Sequence, residues 1–215
     1  RGVFAWFAAH LAKNGDHSGA MRMVEIDAGS VLIYGDAAAF NSETRKAILH
    51  NLDRDDPYFR AAEQGVTVLG GLLDEALIDD IIGILKDPPQ ESHLLLTVAD
   101  SLASGKPLPT LQPYLKEFVL DLNHAAWQRK LILEAYIHGS TGQSSELKRL
   151  YDELTQQTAS LAREELRIDL ACELYPGQFA VADLQKLLND WVPFLRENKL
   201  SQKVKWVVDI DPLEF

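Results

Sequence analysis

Six histidines, a single cysteine and several acidic runs are the side chains of this sequence with the chemistry to build a site. His10, His17, His50, His93, His124 and His138 never form the His-Glu-x-x-His spacing that turns two imidazoles onto one helix face to hold zinc. His124 and His138 bracket one expected helix, but at 1.5 Å per residue they stand about 21 Å apart along it and cannot share an ion. Cys172 has no second cysteine for zinc, and as a nucleophile it would need a base and an electropositive setting. Its place on the apolar stripe Ile168, Ala171, Cys172, Tyr175 puts it in the core instead. Asp53, Asp55 and Asp56 invite a cation, yet Arg54 interrupts them and Pro57 stands where a calcium loop needs a further ligand. They read as a solvated acidic loop, and Asp79-Asp80 and Glu164-Glu165 as solvent faces. Gly105-Lys106 resembles the end of a phosphate loop, but Asp100 replaces its first glycine and Pro107 its Ser or Thr. Leu94 to Asp100 could mimic a strand ending in a magnesium-binding Asp; without a phosphate loop it is a helix face. No Gly-x-Ser-x-Gly elbow occurs. Trp127 beside Arg129 and Lys130 could stack and neutralise a ligand, but it reads better as a Trp packed between helices with two solvated cations beside it. We therefore assign no catalytic, cofactor-binding or metal-binding residue.

The elements that would position such groups are helices. Leu77, Ile81, Ile84 and Leu85 recur with the 3.6-residue period, as do Phe4, Phe7, Ala8 and Leu11. Leu95, Val98, Ala99 and Leu102 form another stripe, followed by Leu111, Leu115, Phe118 and Val119. Leu147, Leu150, Tyr151 and Leu154 and then Val181, Leu184, Leu188 and Trp191 continue the series. Breaks fall at Gly35, which suits a left-handed helix end, at Asn41, which can cap the next helix, and at Gly139 and Gly142. Asp56-Pro57, Pro88-Pro89, Lys106-Pro107 and Tyr175-Pro176 also interrupt, because proline cannot donate to the preceding turn. The expected helices are 2–13, 24–34, 42–54, 58–69, 74–86, 91–104, 109–121, 124–138, 143–154, 159–175 and 180–191. Val204, Trp206, Val208 and Ile210 alternate like a strand, while Leu200, Val204, Val207 and Val208 fit a helix, which we favour over 201–208. Residues 200–215 thus have no settled structure from sequence.

Similar apolar helix ends recur about every 33 to 35 residues, at Leu52, Leu85, Leu120, Leu154 and Leu188. The fold class expected is all-α, an α-solenoid of antiparallel helix pairs (HEAT-like repeats) curving as a right-handed array. The tetratricopeptide pattern is not met. Buried positions should include Leu85, Leu102, Phe118, Leu150, Tyr151, Leu154, Cys172 and Leu188. We read 1–215 as one helical repeat domain. Its opening, Arg1-Gly2-Val3-Phe4 without Met, suggests a piece of a larger protein.

The net charge of −11 disfavours binding nucleic-acid phosphates or anionic lipid. No apolar run reaches the ~18 residues of a membrane span. One cysteine, unable to pair within the chain, suits a reducing, cytoplasmic compartment.

Met23-Val24-Glu25-Ile26-Asp27, Val31-Leu32-Ile33-Tyr34-Gly35-Asp36 and Asn41-Ser42-Glu43-Thr44-Arg45-Lys46-Ala47-Ile48-Leu49 resemble the segment after the nucleotide-binding module of bacterial NACHT-type STAND NTPases. Asp56-Pro57-Tyr58-Phe59-Arg60, Leu69-Gly70-Gly71-Leu72 and Ile84-Leu85-Lys86-Asp87-Pro88 extend the likeness over about 3–104. The resemblance implies a sensor, scaffold or autoinhibitory arm in a signalling NTPase, with anti-phage defence as a setting. None of that family's nucleotide-binding residues has a counterpart here. The expected function is non-catalytic recognition of a protein partner or a neighbouring domain of the parent chain. The competing readings are a helical-repeat enzyme such as a DNA-base glycosylase and a purely structural packing domain.

Overall fold

A computed structural model describes residues 1–55, 69–89 and 94–197. Among the described residues there are ten α-helices and no strand: α1 (Gly2–Lys13), α2 (His17–Tyr34), α3 (Ser42–Asp55), α4 (Ile78–Lys86), α5 (Leu94–Ser104), α6 (Gln112–Leu120), α7 (Ala126–Gly139), α8 (Ser144–Gln156), α9 (Leu161–Leu174) and α10 (Val181–Glu197). Short 3₁₀ turns at Ala37–Ala39, Glu75–Leu77 and Pro109–Leu111 precede α3, α4 and α6. None of these helices is long and apolar enough to cross a membrane. Residues 58–68 of the expected helix 58–69, Asp56, His93 and the stretch 198–215 lie outside the described residues.

The chain divides into two compact units, Arg1–Thr141 and Gly142–Phe215. In the first, α2 packs between α1 and α3, and α7 packs on both α5 and α6, with α4 against α6. In the second, α9 packs between α8 and α10.

Caps set the boundaries. Asn41 Oδ1 accepts from the Thr44 N–H at 2.9 Å and opens α3 as its sequence position suggests. The Asp16 carboxylate accepts from the Gly19 N–H at 2.8 Å, so α2 begins seven residues before the expected start. Within α2, Asp27 leaves helical geometry (φ −156°, ψ 79°) and its carboxylate accepts from the Ser30 N–H (2.8 Å) and hydroxyl (2.6 Å). It is a cap inside a helix, and it bends the axis there. Gly35 is not left-handed (φ −97°). A side chain there would collide with the Val31 carbonyl, so glycine serves close approach rather than handedness. Gly15 (φ 83°) and Gly142 (φ 79°) are the turns that need left-handed backbone.

The stripes of α4, α5, α6 and α8 are buried, with Leu85, Leu102, Phe118, Leu150, Tyr151 and Leu154 all inside. Three stripes turn out rotated. The inner face of α1 is Ala5, Ala8, Ala9 and Ala12, while Phe7 is exposed, because small side chains let α1 and α2 approach closely. On α9 the buried apolar residues are Leu166, Leu170, Ala171 and Leu174, which puts Cys172 and Tyr175 outside. On α10 Leu187 is buried and Leu188 is 42% exposed. In each case two apolar arcs were available, and packing against the neighbouring helix chose between them.

Candidate interaction surface

Helices α2, α5, α7 and α9 end at residues 34, 104, 139 and 174, at intervals of 70, 35 and 35 residues. The midpoint of the long interval is the turn at Leu69-Gly70. In the first unit the turns that follow these ends touch through their backbones. A Cβ on Gly70 would sit 2.6 Å from the Ser104 carbonyl oxygen, and one on Gly105 would sit 2.7 Å from the Gly70 oxygen. Gly71 abuts Ala38 in the same way, its virtual Cβ 2.8 Å from that methyl. His138 Nε2 donates to the Gly105 carbonyl at 2.8 Å, and the Ser140 hydroxyl donates to Gln112 Oε1 at 3.0 Å. Each bond joins positions roughly one interval apart.

Helices α3, α4, α6, α8 and α10 carry charged residues off their apolar stripes. Arg45 is spent internally: it donates to the Gly71 carbonyl at 3.3 Å and pairs with Asp74. Lys46 of α3 pairs with Asp80 of α4 at 2.8 Å, and His50 lies 3.4 Å from the same carboxylate. Asp80 is therefore an inter-helix clamp, not a solvent-facing acid. Lys86 of α4 lies 5.5 Å over the Tyr114 ring of α6. Asp79 and Glu117 are exposed, and Asp121 is partly so. In the second unit Lys148 pairs with Asp152 at 2.5 Å and lies over the Tyr151 and Phe179 rings, while Arg149 pairs with Glu146. Lys186 and Asn189 are exposed.

Trp127, Arg129 and Lys130 do not form a platform. Trp127 is 56% exposed, whereas Arg129 is 3% exposed and donates through Nε to the Val119 carbonyl at 2.7 Å. Two positions apart on a helix, they point to opposite sides. Neither the stacking platform nor a Trp packed between helices with two solvated cations describes this group. Arg129 instead caps the C-terminal end of α6, where helix carbonyls lack partners and the dipole favours a cation. Burial lowers its pKa, and Asp121 opposes that shift.

Glu164 is the site residue that sequence reasoning missed. Expected on a solvent face, it is 1% exposed and clasped by Arg163 and Arg167, the latter at 2.7 Å. Arg167 also donates to the Tyr151 hydroxyl at 2.7 Å and lies over its ring; Arg163 donates to the Gln157 carbonyl at 2.6 Å. The available signal was Glu164 with Arg167 three residues on, a spacing that faces the two side chains toward each other.

On α5, burial and then the nearby Glu134 raise the Asp100 pKa. Gly105-Lys106 follows the C-terminal end of α5, the wrong end of a helix dipole for phosphate. Among the described residues no group of three His, Cys, Asp or Glu side chains gathers as a metal site would require. The cleft on α4 and α6 is small, about 140 Å³, and is floored by Phe118 with His124 stacked on it at 3.7 Å. What the described residues offer is exposed charge of both signs carried on helices. Comparison with protein-family models, with curated proteins and with solved structures gave no match.

Proposed function

We propose that this chain is a HEAT-like α-solenoid segment whose task is non-catalytic recognition of a protein partner or of a neighbouring domain of its own parent chain. The observation carrying this reading is the 35-residue interval between helix ends, with turn packed on turn through Gly70 and Gly105. An array built this way contacts nearest neighbours and leaves a long surface free for a partner. The clamps Lys46–Asp80, between α3 and α4, and Lys86–Tyr114, between α4 and α6, support the same arrangement. The resemblance of Met23 to Leu52 leads us to place the segment after the NTPase module of a bacterial NACHT-type STAND protein, in the cytoplasm, with phage defence as a setting.

The exposed charges are of both signs, acidic at Asp79 and Glu117 and basic at Arg149 and Lys186, which suits a protein surface better than a phosphate backbone. Charge reversal at Lys148, Arg149 and Lys186 should weaken a crosslink or pull-down in the full-length protein. The carboxylates that pair with Lys148 and Arg149 lie one helical turn away, so reversal costs folding roughly 1 kcal/mol or less. Contacts that survive the reversals but are abolished by changes on the opposite helices would mean the other face binds. The repeat itself is read by deletion. Removing residues 106–140, one interval, should leave a cooperatively folding helical protein, whereas removing half an interval should not. Equal loss of folding in both would defeat the repeat.

A further inference from the structure

We propose that the cleft between α1 and the end of α2 binds the zwitterion of a free aromatic amino acid, with its ring on Trp6 and its two charges on Lys13 and Asp36. This goes beyond the recognition of a protein and does not depend on the repeat. The cleft holds about 240 Å³ and lies within the first unit. Its lining combines the rings of Trp6, His10 and Tyr34 with Ala9 and Gly35, which leave room beside them. Because Ala5, Ala8, Ala9 and Ala12 face inward on α1, Trp6, His10 and Lys13 are carried on the outside at i, i+4 and i+7. Trp6 is 62% and Tyr34 42% exposed. Trp6 is nonetheless held in place. The His10 ring stacks on it at 5.1 Å and 12° from parallel. Asn14 Nδ2 in turn lies 3.0 Å from His10 Nε2 and donates to the His10 carbonyl at 2.9 Å. One indole face is thus taken, and the other is open to a flat apolar group.

The ligand class follows from the charges. Lys13 Nζ and Asp36 Oδ2 stand 2.8 Å apart, with side chains 59% and 50% exposed, so a ligand can reach both. A lone cation would meet Lys13 as closely as Asp36, and a lone anion would meet the same conflict in reverse. A molecule with an ammonium and a carboxylate side by side satisfies both. Its ammonium donates to Asp36 and its carboxylate accepts from Lys13, giving two charge-assisted bonds. An α-amino acid carries these groups on one carbon, next to its side chain. A peptide chain does not, because amides have replaced them. The ring lining then favours an aromatic side chain over a small one, since stacking adds to the apolar area buried.

Titration of the full chain with L-phenylalanine tests this, followed by the Trp6 indole N–H signal in a nitrogen-edited NMR spectrum. That signal is identified by its loss in Trp6→Ala. It should move to saturation with a dissociation constant of about 1 mM or below, the range open to about a dozen heavy atoms, while the Trp127 signal stays in place. Phenylalaninamide and hydrocinnamate, each lacking one charge, and glycine, lacking the ring, should each bind about tenfold more weakly. Lys13→Gln with Asp36→Asn should weaken phenylalanine binding about tenfold and leave the circular dichroism unchanged. If the amide and hydrocinnamate bind as tightly as phenylalanine, or the double variant binds fully, the ion pair only staples α1 to the segment after α2, and the proposal is overturned. A Trp6 signal unmoved by millimolar phenylalanine overturns it too.

Discussion

Glu164 is held by two arginines and is almost without solvent, so its removal leaves two cations facing each other in a poorly hydrated pocket. Glu164→Ala should cost about 3 kcal/mol, the lower end for breaking a buried pair, because Arg163 and Arg167 keep a little solvent. Tyr151→Phe removes one hydrogen bond to Arg167 and should cost only about 1 kcal/mol. Urea denaturation of both variants checks the order. Asp100 behaves in the opposite sense. Its folded pKa is raised by burial and by Glu134, so the folded state holds the proton more tightly than the unfolded chain. The penalty is absent below the ordinary carboxyl pKa and grows as pH rises through the raised value. Asp100→Asn should therefore raise the melting temperature at pH 7, and the gain should vanish in acid. A gain independent of pH would remove Asp100 ionisation as the cause. Neither residue announces its environment in the sequence, since a carboxylate reads by type as a surface group.

At the scale of elements, glycines with the same name have opposite duties. Gly105 lies against the Gly70 and Ser101 carbonyl oxygens, each 2.7 Å from where a Cβ would be. Gly105→Ala must push two turns apart and should cost about 1–3 kcal/mol. Gly83 sits exposed within α4 with nothing within 4 Å of a virtual Cβ. Gly83→Ala should stabilise by about 1 kcal/mol, through helix propensity alone. Thermal melts of the two variants should move in opposite directions. Helix starts and stops were largely legible: α1 and the cap of α3 follow from pattern and from Asn41. The early start of α2 was not, because its first turn carries no apolar stripe and rests on Asp16.

For the whole molecule, circular dichroism should report a predominantly helical chain; substantial strand signal would contradict ten helices among the described residues. No phosphate-loop spacing exists in this sequence, so calorimetry should detect no magnesium-dependent ATP binding to the chain alone. Tight binding would remove the non-catalytic reading. On the proposed repeat reading, stability would be a sum of units and their interfaces, and Gly105→Ala, where the Gly70 and Gly105 turns meet, should also broaden the unfolding transition.

Helical class and most helix boundaries were determined by the sequence alone, because apolar spacing, caps and prolines act within a few residues of themselves. Which arc of a helix faces inward was not. The α1 stripe Phe4, Phe7, Ala8, Leu11 and the alanine arc Ala5, Ala8, Ala9, Ala12 both satisfy helical period. Close approach by α2 chose the small residues and left Trp6 and Phe7 outside. Likewise Cys172 and Leu188 lie one position from the buried Ala171 and Leu187, and a 100° rotation separates core from surface. Only packing against a neighbour distant in sequence sets that rotation, and the same packing buried Glu164 and Arg129 and joined Gly70 to Gly105.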